Sequence, residues 1–248
     1  AVIGRVCRCR MPRWSHGPLC RSCGLALLAL QVVLGGRSRS AMVVQTWTVV
    51  GEGIVSAEEL DAVFAQLLDS PGWSEFKTKT TRRMCDQYTF DGVRDRRPPP
   101  HLRFLHALVG RLVDRLQADH PGDAVVPMQC FLCLYEDGDD SCPSHAHDCR
   151  QLTLSFGGGR TLLVEGRPIR MGHGDVVVLD GERHGVPAER GAAPEGPRVS
   201  LNLFFATAGD MATRSVSVNA RPGSGYRQGD GPGAAPRGAA AGTAAEGA

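Results

Sequence analysis

Leu60, Val63, Phe64, Leu67 and Leu68 fall on one side of a helix in SAEELDAVFAQLLDS, residues 56–70. Ser56 and Glu59 stand ahead of them at capping-box spacing, which predicts where that helix starts. A second helical stripe runs through HLRFLHALVGRLVDRLQA, 101–118, where Leu102, Leu105, Leu108, Leu112, Val113 and Leu116 share a side. Prolines 98–100 precede it, as a helix start tolerates. After Pro121 the period changes. MQCFLCLYE, RQLTLSFGG, RTLLVEG, DVVVLDGE and RVSLNLFFA are short apolar or alternating runs separated by Gly, Pro and Asp, the pattern of strands. Helices first and strands afterwards predict an α+β fold rather than alternating βαβ units. The expected architecture is a double-stranded β-helix, or jelly-roll, barrel with its core at about 125–206 and supporting helices on its N-terminal side.

The two ends lack this patterning. Seven arginines, no lysine and no acid precede Glu52, and GLALLALQVVLGG (24–36) lies among them. That apolar run is too short to span a bilayer, which takes about 20 residues. An acid-free, arginine-rich stretch with a short apolar run reads as a leader; the other reading of 1–42 is a segment with no structural role. The pairs CRC (7–9) and CRSC (20–23) are zinc-ligand material, but the first has one intervening residue rather than two to four and no turn pattern supports it. At the other end, residues 221–248 hold eight Gly, eight Ala and three Pro, with almost nothing large to bury. The folded domain is therefore expected over 43–206, with 207–248 as a disordered tail.

Among 248 residues, 42% are apolar, enough for a sizeable core. The net charge of +2 creates no global field for nucleic acid, so such a role needs a local patch. The richest is 77–97, with Lys77, Lys79, Arg82, Arg83, Arg94, Arg96 and Arg97 around Tyr88 and Phe90. Cations there could meet phosphates and aromatics could stack on bases; an inert basic loop has the same composition. Nine cysteines, an odd number in a chain of this size, argue for reduced thiols and an intracellular location; the compartment stays open, with a mitochondrion and the nucleus among the candidates. Nothing in the pattern addresses the oligomeric state.

The chemistry concentrates in SHAHDCRQLTLSFGGGR, 144–160. Side chains alternate along a strand, so His145 and His147 point the same way if the segment is extended. Two imidazoles on one face can grip a divalent ion, and His184, at the end of GDVVVLDGERHGVP, is the third candidate. Extended geometry favours His147 as the middle ligand; the usual pair of histidines with one carboxylate favours Asp148.

The ordered set FLCLY ending at Tyr135, HAHD, LSFGGGR, GHGDVVVLDGE, His184 and RVSLNLFF resembles the AlkB-like iron(II)/2-oxoglutarate dioxygenases over about 128–205. The resemblance implies a catalytic centre of ferrous iron on His145, His147 and His184, with 2-oxoglutarate and O₂ as co-substrates. It places Arg198, with Tyr135 beside it, on the far carboxylate of 2-oxoglutarate, which a guanidinium fork suits better than an ammonium. The implied reaction is hydroxylation, or oxidative demethylation with loss of formaldehyde, with alkylated nucleobases among the substrates. Two departures stand out. His147 occupies the position of the family's Asp, and Phe204 stands near its second Arg. Two rival readings follow: a cupin-type metalloprotein, which shares HxH and the barrel outline, and a non-catalytic binding module on an oxygenase-like barrel.

Overall fold

A computed structural model describes residues 44–78, 81–89, 98–190 and 195–219. The expected leader 1–42 lies outside them. Among the described residues, eleven strands and three α-helices are arranged as two antiparallel sheets with helices packed against the larger. The larger sheet contains β1 (Gln45–Thr48), β2 (Ser74–Lys77), β3 (Arg82–Thr89), β4 (Val125–Tyr135), β6 (Arg150–Gly157), β9 (Asp175–Asp180) and β11 (Arg198–Thr207), in the order β1-β9-β6-β11-β4-β3-β2. The smaller contains β5 (Cys142–His145), β7 (Arg160–Val164), β8 (Arg167–Met171) and β10 (His184–Val186), in the order β5-β10-β7-β8. This is the double-stranded β-helix that the strand pattern predicts.

The first two helices cover the outer face of the larger sheet. In α1 (Ala57–Leu68) the Ser56 hydroxyl accepts a hydrogen bond from the Glu59 amide at 3.1 Å, so the expected start is present. Leu60, Val63 and Leu67 of α1 and Leu108, Leu112 and Leu116 of α2 (His106–Asp119) pack against Leu132, Leu152, Leu154, Val199, Leu201 and Leu203. Each such leucine contributes about 1.5–3 kcal/mol on burial. The second helix departs from expectation at its front. Pro100–Leu105 is a 3₁₀ turn and α2 starts only at His106. At three residues per turn, Leu102 and Leu105 stack on one side, and both are fully buried. No helix among the described residues is long and apolar enough to cross a membrane.

Strand β11 is buried along its whole length. Val199, Leu201, Leu203 and Phe205 join the helix-facing core, while the alternate set Arg198, Ser200, Asn202 and Phe204 lies on the opposite face, inside the barrel. The domain also continues past 206, where the tail was expected to begin. Thr207 caps α3 (Ala208–Thr213) in a reciprocal capping box with Asp210, and Arg150 pairs with Asp210 at 2.7 Å. Residues 220–248 lie outside the described residues.

Gly157, the first glycine of SFGGGR, has φ +76°, and a Cβ there would sit 2.2 Å from Phe64 Cζ and 2.4 Å from the Pro197 carbonyl oxygen. Left-handed backbone and steric overlap each cost a side chain about 1–3 kcal/mol. Gly157→Ala should therefore lower the unfolding free energy by about 2 kcal/mol or more, read as a shift in the urea midpoint at unchanged slope.

Candidate metal centre

Two strands of the smaller sheet bring the first pair of histidines together. β5 ends at His145, β10 begins at His184, and the two are direct partners in the ladder. His147 follows two residues later, on the segment leading into β6. One ring nitrogen from each of His145, His147 and His184 lies within 4.8 Å of the others, and all three residues are buried. Asp148, the alternative middle ligand, is not in this group.

Each Nδ1 faces a main-chain carbonyl: Pro143 at 2.8 Å for His145, Val218 at 2.7 Å for His147 and Glu182 at 3.0 Å for His184. A carbonyl only accepts, so each Nδ1 carries the hydrogen, and a neutral ring then has its lone pair on Nε2. Burial pushes the imidazole pKa down to about 4 at His145 and about 3 at His147 and His184, where the neighbouring imidazoles add to the effect. The rings are therefore neutral at physiological pH, the state a metal requires. His147 Nε2 is buried and has no hydrogen-bond partner. Its ring rests on Phe204, with centroids 4.7 Å apart. Three converging, neutral, buried nitrogen donors of fixed tautomer suit a divalent transition metal.

The depressed values also set a pH dependence. Below pH 6.5 the unfolded chain takes up protons that the folded chain refuses until about pH 4 or lower. Stability from these rings is thus complete above 6.5 and lost as pH falls. The urea midpoint of the metal-free protein should drop over that window, and bound metal should deepen the drop because protons then compete with it.

Arg198 is the largest fully buried side chain among the described residues, at 1% exposed. Its Nε donates to the Ser155 hydroxyl at 2.9 Å, its guanidinium lies 5.3 Å from the Tyr135 ring centroid, and Nη1 and Nη2 have no hydrogen-bond partner. Burial lowers the Arg198 pKa and raises that of Tyr135 well above its ordinary value, so the phenol keeps its proton as a donor. Both residues are on strands of the larger sheet, as direct partners between β11 and β4.

Reading the sequence missed the polar lining between these groups. Gln151 donates from Nε2 to Thr153 and Asn202, Thr153 donates to Asn202, and Asn202 donates to the Phe131 carbonyl. The signal was present as Gln151, Thr153 and Ser155 alternating with leucines, and as Ser200 and Asn202 in an apolar strand. The basic stretch 77–97 fares differently. Arg82 is engaged by Glu75, Glu136 and Asp140, and Arg83 is buried inside the barrel, so neither is presented to a phosphate backbone. Lys79, Arg94, Arg96 and Arg97 lie outside the described residues.

No family model and no curated protein matches the sequence. Among solved structures, the chain is similar to a 2OG-Fe(II) oxygenase family oxidoreductase from Burkholderia pseudomallei, at 20% identity over 62% of this chain and 81% of that one, with a TM-score of 0.48. It is similar to a prolyl-4-hydroxylase from Pseudomonas putida at 15% identity over 66% and 91%, TM-score 0.43. It is also similar to HygX from Streptomyces hygroscopicus, solved with nickel and 2-oxoglutarate bound, at 11% identity over 66% and 82%, TM-score 0.42.

Proposed function

We propose that the chain is an iron(II)- and 2-oxoglutarate-dependent oxygenase. In this reading His145, His147 and His184 hold the metal, and Arg198 with Tyr135 anchors the co-substrate. The observation that carries it is the Arg198 guanidinium, buried in the same barrel as the three imidazoles with both terminal nitrogens unpartnered. An unpaired buried cation costs several kcal/mol. An anion seated against it removes that cost, and a carboxylate fits the fork bidentately. Ferrous iron held by the three imidazoles would supply the oxidative chemistry, with the keto acid and O₂ as co-substrates.

The chain's own groups do the rest. Tyr135 offers its hydroxyl to the carboxylate beside Arg198. The carbonyls of Pro143, Glu182 and Val218 hold the imidazole planes and tautomers. Phe204 shields one side of His147 from water. For the target we carry forward an alkylated nucleobase, undergoing demethylation or hydroxylation; its support is the AlkB-like order of motifs over 128–205 and the sequence positions Lys77, Lys79, Arg94, Arg96 and Arg97.

Metal analysis of purified protein, together with succinate production over methylated nucleosides, oligonucleotides and peptides, tests the reading. Stoichiometric iron and 2-oxoglutarate-dependent succinate are expected. O₂ uptake indifferent to 2-oxoglutarate would instead indicate a cupin-type centre, and failure to load metal would indicate a binding module.

A further inference from the structure

Cys85 and Cys133 are direct partners across the β3–β4 ladder, and both are buried, at 0% and 4% exposed. Directly opposed residues in antiparallel strands have Cα atoms about 4.5–5.5 Å apart, inside the span that disulfides bridge, about 4.4–6.8 Å. The two thiols are reduced and hydrogen-bonded to each other. Arg83 lies on the same face of β3, two residues before Cys85, and its guanidinium interacts with Cys133. Stacking on the Phe76 ring, 4.4 Å from its centroid, helps to hold that cation in place. Burial disfavours a thiolate at Cys133, but the Cys85 hydrogen bond and the Arg83 charge outweigh it and bring its pKa below the ordinary thiol value. The same hydrogen bond, with burial, pushes Cys85 up. Two opposed thiols beside a buried cation are thus placed so that one can form a thiolate and the other can close on it. Cys133 lies within electrostatic reach of His145, Tyr135 and Arg198, but neither thiol is among the hydrogen bonds described at the metal and co-substrate groups.

We propose that Cys85 and Cys133 form a redox-active dithiol that hydrogen peroxide converts into a disulfide joining β3 to β4 inside the barrel. The Cys133 thiolate attacks one peroxide oxygen. The O–O bond breaks, hydroxide leaves, and Cys133 becomes a sulfenic acid. The Cys85 sulfur then attacks the Cys133 sulfur, the S–O bond breaks, and the oxygen departs as water with the Cys85 proton. Two thiols lose two electrons and two protons in total, and one peroxide becomes two waters.

The pair is tested on the full chain, reduced and metal-free, so the outcome does not depend on the oxygenase reading. After exposure to hydrogen peroxide, denaturation, alkylation and peptide mapping, the expected result is loss of alkylation at both Cys85 and Cys133. A peptide linking them should appear, Cys130 and Cys142 should remain alkylated, and dithiothreitol should reverse the change. In Cys85→Ser the Cys133 sulfenic acid should persist and be trapped by a 1,3-diketone; in Cys133→Ser, Cys85 should stay unmodified. Wild-type protein in which both cysteines remain alkylatable, in which the linked peptide joins other cysteines, or in which Cys133 overoxidises while Cys85 stays reduced would overturn the proposal.

Discussion

His184→Ala and His145→Ala should each abolish stoichiometric iron binding, and with it all 2-oxoglutarate turnover. Removing only the partner that orients a metal-ligating histidine costs about 10–100-fold in metal affinity, so removing the ligand itself should cost more than about 100-fold. Metal analysis after dialysis reads this directly. Each variant leaves two of the three nitrogens, His145 with His147 in the first and His147 with His184 in the second, so both should lose the metal. His147→Ala and Asp148→Ala then decide the middle position. Loss in the first and retention in the second is expected from the buried Nε2 of His147; the reverse pattern would assign the ligand to Asp148. Full iron in every one of these variants would end the assignment. Secondary structure should be unchanged by circular dichroism, because the helix-facing core contains none of these residues.

Arg198→Met should separate binding from stability, with opposite signs. Truncating one member of a buried, hydrogen-bonded charge pair costs about 2–5 kcal/mol or more, which corresponds to roughly 30-fold or greater weakening of 2-oxoglutarate binding. The apparent KM for 2-oxoglutarate should rise by that factor, while the KM for the oxidised substrate moves far less. Equal effects on both would remove Arg198 from the co-substrate site. In the ligand-free protein, by contrast, methionine fills similar space without a desolvated charge. The variant should unfold at the same temperature or higher, since buried charges replaced by apolar groups are commonly neutral or stabilising. A wild-type protein more stable than Arg198→Met without ligand would mean that the guanidinium has a structural task.

The elements that were legible before the coordinates share one property: one face of each is apolar. Leu60, Val63 and Leu67 announce α1, and the leucines of LTLSF announce β6. The strands that escaped are short or turn the pattern around. β3 carries Arg83, Cys85 and Gln87 on its inner face because the barrel interior is polar, so buried positions read as surface ones. β8, RPIRM, is an exposed edge strand with one buried residue, and β5, CPSH, contains a proline. The three histidines could be named from their spacing and from family resemblance. Their orientation could not, because the groups that fix it are main-chain carbonyls, which every residue type supplies. The guanidinium at 198 was visible as a charge in an apolar strand; that its terminal nitrogens stand unpartnered required the fold.

The hydrogen bond from His147 to the Val218 carbonyl ties one corner of the metal site to a segment beyond β11 that buries little apolar surface. Such a segment can detach at far lower free energy than the barrel unfolds. Metal release would then be timed by brief excursions of residues 214–219 rather than by global unfolding, and off-rates should respond to a substitution such as Asp210→Ala, which weakens the Arg150 and Arg214 anchors of that segment without touching a ligand.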